Sequence, residues 1–228
     1  MPNYFFGIKK ESNIILEKDE TSHLKVVKKE IGDTIDVLIG DGFFYKAIIE
    51  KIGKKETILK ISKKIKDNSK YKPEISLFLG MSKWDRMRLI IEKSIELRVQ
   101  KIYIFKGQKS HQKYKNLDKF YKVIIESLKQ TGYSKIPELK FIELENIPKI
   151  NSLVLDFEAN NEFKKSIEKL RENINIIIGP DVGFTNEEKL FFNNNEFKII
   201  SPGNTIMRFE TAAIYTLSAI NFINDRLI

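Results

Sequence analysis

The stretch Asn175-Ile-Ile-Ile-Gly179-Pro180-Asp181-Val182-Gly183-Phe184-Thr185-Asn186-Glu187-Glu188 reads as a strand that runs into a Gly/Pro loop and leaves it as a helix. Ile174 to Ile178, apolar except for Asn175, lacks a regular apolar/polar alternation, as expected of a strand covered on both faces in a parallel sheet. Thr185, followed three residues later by Glu188, has capping-box spacing and predicts a helix start. Gly179 to Gly183 then lies at the carboxyl end of a parallel strand, where open α/β sheets bind ligands. The loop is not a P-loop, because no Gly-Lys-Ser/Thr follows, and its spacing is not G-x-G-x-x-G. Taken alone, it also reads as an ordinary strand-to-helix turn whose glycines supply positive φ.

The same order recurs at Ile199-Ile-Ser201-Pro-Gly203-Asn-Thr-Ile206-Met207-Arg208-Phe209-Glu210-Thr211-Ala212-Ala213, where Arg208 and Glu210 fall at the junction of loop and helix. A glutamate is favoured there by the helix dipole, although a capped helix with an incidental surface arginine has the same pattern. Upstream, strands are predicted at Ile75 to Leu79, Lys101 to Phe105, Leu139 to Ile142 and Leu153 to Leu155. Helices are predicted from Ser82, capped with Asp85, to Leu97, and from Asn160 to Arg171. A third helix, ending near Gly132, places Leu117, Phe120, Tyr121, Ile124, Ile125 and Leu128 on one face. This alternation predicts a largely parallel α/β sheet covered on both faces.

The first 65 residues have another rhythm. Short strands are predicted at Tyr4 to Ile8, Ile14 to Leu16, Thr34 to Ile39, Phe43 to Ile49 and Thr57 to Ile61, with a helix near Asp19 to Lys29. The pattern is that of a small β-barrel. Lys63 to Lys72, closed by Pro73, reads as a linker, so residues 1–70 and 73–228 are expected to be separate domains.

Composition narrows the chemistry. The 228 residues are 42% hydrophobic and contain no cysteine, which excludes disulfides, thiolate nucleophiles and Cys-type zinc sites. His23 and His111 are the only histidines, leaving few bases for Ser-His chemistry and no His-rich metal site; no resident metal is expected. No apolar run approaches the roughly 20 residues of a membrane span, and the start lacks a signal-peptide order, so a soluble cytoplasmic protein is expected. Of the 40 basic residues 34 are lysine, and the net +9 is uneven: residues 1–70 carry +4, 71–150 carry +8 and 151–228 carry −3. The middle third suits a polyanion such as RNA, or is a solvated lysine-rich face.

The two loop segments, in this order, resemble G-P-E-G-G-F/L-S-x-x-E and L-G-x-R-I-L-R-x-E-T-A of the small-subunit ribosomal RNA uracil-N3 methyltransferases (the RsmE family), a branch of the SPOUT superfamily. His23-Leu-Lys-Val-Val-Lys28 with Gly32-Asp33 is similar to that family's H-L-x-V-L-R…G-D. Lys83-Trp-Asp-Arg86-Met87 with Glu92-Lys93 and Glu96-Leu97 resembles K-G-x-R-M…K…E-L-G, and Gln130-Thr-Gly132 with Ile136-Pro137-Glu138 resembles E-Q-S-G-R…V-P-E. The chain departs from the pattern at Asp181, Val182, Pro202 and Thr205 in the two loops, at Arg98, which stands at a usual glycine, and at Lys109 and Tyr133, which stand at usual arginines. A β-branched residue does not readily take positive φ, so at Val182 either the backbone is extended or the loop is altered.

The resemblance implies an α+β protein: an N-terminal PUA-like β-barrel that binds RNA, then a SPOUT α/β domain with a C-terminal trefoil knot, working as a homodimer. It implies S-adenosylmethionine (SAM) as methyl donor, held by Ile178, Gly179, Pro180, Asp181, Gly183, Ser201, Gly203, Ile206, Met207 and Thr211. The implied substrate is a uridine in 16S rRNA of the small ribosomal subunit, methylated at N3. Arg208 would stabilise charge developing on the uracil carbonyls, and Glu210 would accept a proton or fix Arg208. Lys25, Lys28, Lys83, Arg86, Arg88, Lys109 and Lys113 would grip RNA. Another SPOUT activity (ribose 2′-O-methylation or another RNA), or a non-catalytic RNA-binding assembly factor on the same fold, are the alternatives.

Overall fold

The computed structural model describes residues 4–159, 163–168 and 170–227, which divide into two compact units. The first comprises Met1–Ser69 together with Ile124–Ile136, and the second comprises Lys70–Val123 and Pro137–Ile228.

The first unit contains β1 (Phe5–Phe6), β2 (Ile8–Lys10), β3 (Asn13–Leu16), α1 (Lys18–Val26), β4 (Thr34–Leu38), β5 (Phe43–Ile52) and β6 (Thr57–Lys66). The six strands form one sheet in the order β1-β4-β5-β6-β3-β2. The strand expected over Tyr4 to Ile8 is therefore two: β1 runs parallel to β4 at one edge, and β2 runs antiparallel to β3 at the other. Gly7 is the hinge that carries the chain between the edges and nearly closes the barrel. A Cβ at Gly7 would stand 2.3 Å from Ile14 Cγ2 and 3.2 Å from the Ile15 carbonyl, so only glycine allows this approach. Inward residues Ile14, Leu16, Ile35, Val37, Tyr45, Ala47 and Leu59 fill the interior.

The segment expected to begin a linker at Lys63 instead continues β6 to Lys66. Lys64 Nζ sits 3.7 Å from the Phe43 ring centre, and the ladder runs to the pair Phe43–Lys66. Lysine stems packed on aromatic faces let a polar sequence extend a strand that apolar alternation alone would end.

The second unit contains β7 (Glu74–Gly80), α2 (Trp84–Glu96), β8 (Lys101–Phe105), the start of α3 (Asp118–Thr131), β9 (Glu138–Ile142), β10 (Ser152–Leu155), α4 (Phe163–Glu168), β11 (Asn173–Ile178), α5 (Asn186–Asn194), β12 (Lys198–Ile200) and α6 (Phe209–Ile223). Its six-stranded sheet has the order β12-β10-β11-β7-β8-β9, and every pairing is parallel. β7 and β11 are buried along nearly their whole length, as expected of mainly apolar strands covered on both faces, and the buried Asn175 of β11 donates to the Ile150 carbonyl and Ser152 Oγ. From β7 the chain steps outward to β8 and β9, whereas β11 lies on the opposite side, so the strand order reverses between β7 and β11.

The helix predicted over Asn160 to Arg171 is α4, Phe163–Glu168; Asn160, Asn161, Glu162 and Lys169 lie outside the described residues. Among the described residues no helix is long and apolar enough to cross a membrane.

Candidate active site

Four strands of the second unit end side by side, and their carboxyl-end loops build the site. β11 delivers Gly179 to Gly183, β7 delivers Met81 to Lys83, β10 delivers Asp156 to Glu158, and β12 delivers Ser201 to Arg208 before α6 begins. The loop after β11 closes as a tight turn in which the Gly183 N–H donates to the Pro180 carbonyl at 2.8 Å. Gly183 carries the positive φ of +77°, and Val182 keeps a negative φ with its side chain 47% exposed. The β-branched residue thus occupies a turn position that suits it.

Pro180 seats the turn against two glycines. A Cβ at Gly80 would stand 2.3 Å from Pro180 N, and one at Gly107 would stand 2.5 Å from Pro180 Cγ. The loops after β7 and β8 therefore receive the proline ring at van der Waals contact. Thr185 and Glu188 form the expected capping box of α5, with Thr185 Oγ1 accepting from Glu188 N at 3.1 Å and Glu188 Oε2 accepting from Thr185 N at 2.7 Å. Glu188 is 2% exposed, and its other oxygen accepts from Gln108 N at 2.8 Å, tying the cap to the loop after β8.

Ser82 differs from its predicted role. The cap of α2 is Lys83, with no side-chain cap bond, while Ser82 Oγ donates to the Gly80 carbonyl at 3.0 Å and accepts from Asp181 N at 2.9 Å. The hydroxyl is spent on joining the loops after β7 and β11, so it does not serve the helix. Tyr114 donates to the Ser82 carbonyl at 2.5 Å and packs edge-on against Trp84 and Phe120. Burial, with Asp181 and Asp85 nearby, pushes its phenol up from 10.0 to about 12, so it remains a donor at any physiological pH.

Between these loops lies a cavity of about 510 Å³, a size suited to a small-molecule ligand. Ile178, Gly179, Pro180, Asp181, Gly183, Ile206 and Met207 line it, together with Val182, Pro202 and Thr205. Ser201, Gly203 and Thr211 do not, and Ser201 Oγ turns back onto its own loop, donating to the Gly203 carbonyl at 2.5 Å. Sequence reasoning overlooked the β10 side of the wall: Asp156, Phe157 and Glu158, with Lys189 of α5 pairing Asp156 at 2.8 Å and Glu158 at 2.5 Å. These two carboxylates hold the Lys189 ammonium above its ordinary pKa. The available signal was Asp156 directly after the short apolar strand Leu153 to Leu155, again at the carboxyl end of a parallel strand.

Arg208 and Glu210 do not face each other. Arg208 is the exposed N-cap residue of α6, and the carboxylate of Glu210 is turned toward Arg86, with Nε to Oε2 at 3.9 Å. Of the two roles expected of Glu210, fixing Arg208 is therefore corrected, since residues two apart at a helix start point in different directions. Arg86 also donates to Asp181 Oδ2 at 2.8 Å. Lys109 lines the cavity and donates to the Phe184 carbonyl at 3.4 Å, while Lys83, Arg88 and Lys113 are exposed. On the first unit Lys28 is exposed, and Lys25 is exposed with its Nζ 3.2 Å from the Gly53 carbonyl.

Residues 69–221 match the family model of the RNA methyltransferase domain, and residues 16–62 match that of the RNA methyltransferase PUA domain. Ribosomal RNA small subunit methyltransferase E of Mesomycoplasma hyopneumoniae is 30% identical over 234 residues, covering 96% of this chain and 98% of that protein. The chain belongs to the ribosomal RNA small subunit methyltransferase E family. It is therefore an RNA methyltransferase, in which the second unit carries most of the RNA methyltransferase domain and the barrel carries the PUA domain.

Other methyltransferases share the architecture. A crystal structure of a predicted RNA methyltransferase from Thermotoga maritima superposes with a TM-score of 0.86 at 28% identity, covering 99% of this chain and 100% of that one. The methyltransferase E of Neisseria gonorrhoeae, solved bound to S-adenosyl methionine, has the same fold, with a TM-score of 0.82 at 21% identity over 97% and 98% of the two chains.

Proposed function

We propose that this RNA methyltransferase transfers a methyl group from SAM to N3 of one uridine in 16S rRNA of the small ribosomal subunit, acting in the cytoplasm as a homodimer. The observation that carries the reading is the cavity, which both motif loops line in a chain matching its relatives almost end to end.

The cavity's chemistry fits SAM. Ile178, Ile206, Met207 and Phe157 offer apolar cover for a flat base, the Gly179–Gly183 loop brings backbone amides and carbonyls to the wall, and Asp156 and Glu158, paired to Lys189, and Asp181, paired to Arg86, add polar groups to it. When bound, SAM supplies a methyl group already activated by its sulfonium. The chain's own residues must orient the uracil and assist loss of the weakly acidic N3 proton. Glu210, half-buried at the start of α6 and outside the cavity lining, keeps Oε2 without a hydrogen-bond partner among the described residues, which supports it as the acceptor of that proton. Arg208, exposed at the adjoining cap, supplies positive charge for the carbonyl oxygens.

Lys25, Lys28, Lys83, Arg88, Lys109 and Lys113 serve the RNA phosphates, and a splayed base meets the cavity mouth at Ile206, which is 79% exposed. Tyr215 and Phe222, 46% and 80% exposed on α6, support the homodimer. Val182, Pro202 and Thr205, where the chain leaves the family pattern, still line the cavity, which favours an enzyme over an assembly factor that does not bind SAM.

The test is incubation of the purified protein with labelled SAM and small subunits lacking N3 methylation, followed by nucleoside mass spectrometry. N3-methyluridine is the expected product. A 2′-O-methylated nucleoside would move the target to ribose, and SAM binding without any transfer to RNA would overturn the catalytic reading.

A further inference from the structure

Arg86 lies in the first turn of α2, and its guanidinium faces two carboxylates from two other segments. Nη1 donates to Asp181 Oδ2 at 2.8 Å, and Nε lies 3.9 Å from Glu210 Oε2. The second contact is an ion pair beyond hydrogen-bond reach, and Oε2 of Glu210 is buried without a hydrogen-bond partner among the described residues. Asp181 belongs to the loop that lines the cavity, while Glu210 belongs to α6. The side chains of Asp181 and Glu210 are only 13% and 17% exposed, so one cation serves two largely covered anions.

We propose that Arg86 is a positioning residue of the transfer site: a single guanidinium holds Asp181 in the cavity wall and Glu210 at the entry to α6, so that ligand loop and proton acceptor are set together. The proposal rests on the reading of Glu210 given above. It assigns Arg86 to the site instead of the RNA grip, because Nη1 is engaged by Asp181 at 2.8 Å and Nε is turned to Glu210. A planar guanidinium can address two carboxylates in fixed directions at once, which a lysine ammonium does less well. The Ser82 bond to Asp181 N ties the loop after β7 to the same turn, so the arrangement is rigid on the Asp181 side and looser at Glu210.

The test uses the full chain with Arg86→Ala, Arg86→Lys, Asp181→Asn and the Arg86→Ala/Asp181→Asn double variant. Thermal unfolding, SAM binding by calorimetry, and kcat with RNA KM on unmethylated small subunits are measured for each. Arg86→Ala is expected to lower kcat at least about tenfold while RNA KM stays within about threefold, with Arg86→Lys recovering only part of the loss. Losses of SAM affinity and melting temperature in the double variant should be clearly smaller than the sum of the two single losses, because both substitutions break one linkage.

An RNA KM raised about tenfold with kcat retained, and a salt slope of RNA binding lowered by about one, would make Arg86 a phosphate contact and overturn the proposal. Additive losses would overturn it as well. Should Arg86→Ala not fold, Arg86→Lys decides through the same split between kcat and KM: full wild-type kcat would refute the positioning role. Wild-type protein that binds no SAM would refute the functional reading and the proposal with it, whereas wild-type transfer with unimpaired Arg86→Ala would refute the proposal alone.

Discussion

At the scale of single residues, the site depends on where side chains are absent. Gly80 and Gly107 leave room for Pro180, and the nearest obstacles to a Cβ at Gly80 are Pro180 N at 2.3 Å, Pro180 Cδ at 2.6 Å and Gly179 C at 2.7 Å. Gly80→Ala is therefore expected to displace the Gly179–Gly183 loop, destabilise the protein by about 1–3 kcal/mol and weaken SAM binding more than about tenfold. Calorimetry and thermal unfolding would show it, and wild-type affinity in that variant would contradict the proline-on-glycine seat. Val182 makes the opposite case. Its φ is negative and its side chain half exposed, so Val182→Gly, which restores the family residue, should leave SAM affinity within about threefold while lowering stability by about 0.4–1 kcal/mol through unfolded-chain entropy.

At the scale of elements, local signals succeeded where the bonded partners are close in sequence. Thr185 and Glu188 cap α5 as their spacing predicts. The cap also extends beyond its helix, since Thr185 Oγ1 donates to Gln108 Oε1 at 2.7 Å. Thr185→Ala should cost about 1–2 kcal/mol, the upper part of the range for an N-cap, and urea unfolding with unchanged m-value would measure it. The pair Ser82 and Asp85 has the same local pattern, yet the Ser82 hydroxyl goes to Gly80 and Asp181. A sequence window covering residues 82–85 contains no information about a partner at 181.

At the scale of the whole molecule, charge and pH set the conditions of action. With +9 overall and +8 between residues 71 and 150, RNA binding should weaken steeply with salt; Lys83→Ala and Lys113→Ala, both exposed, should each lower the slope of log K against log salt by about one. Filter binding over a salt series would test this, and an unchanged slope would remove those lysines from the interface. Stability has its own limit at high pH. The folded state holds the Tyr114 phenolic proton more tightly than the unfolded chain, with a pKa of about 12 against 10.0. Its contribution is complete below pH 10 and disappears as pH rises toward 12. Melting temperature should fall less steeply across that window in Tyr114→Phe than in wild type.

The strand-loop-helix order, a largely parallel sheet, a barrel of short strands and the two motif loops follow from the sequence alone, because hydrophobic period, glycine placement and cap spacing act over a few residues. Only the tertiary structure decided that Gly7 splits a strand between two sheet edges, that β10 and Lys189 complete the cavity, and that Glu210 answers to Arg86 instead of Arg208. Each of those depends on groups brought together across the chain, Arg86 and Asp181 being 95 residues apart. Such pairings are set by the packing of strand ends in a sheet whose order differs from chain order, which no local pattern encodes.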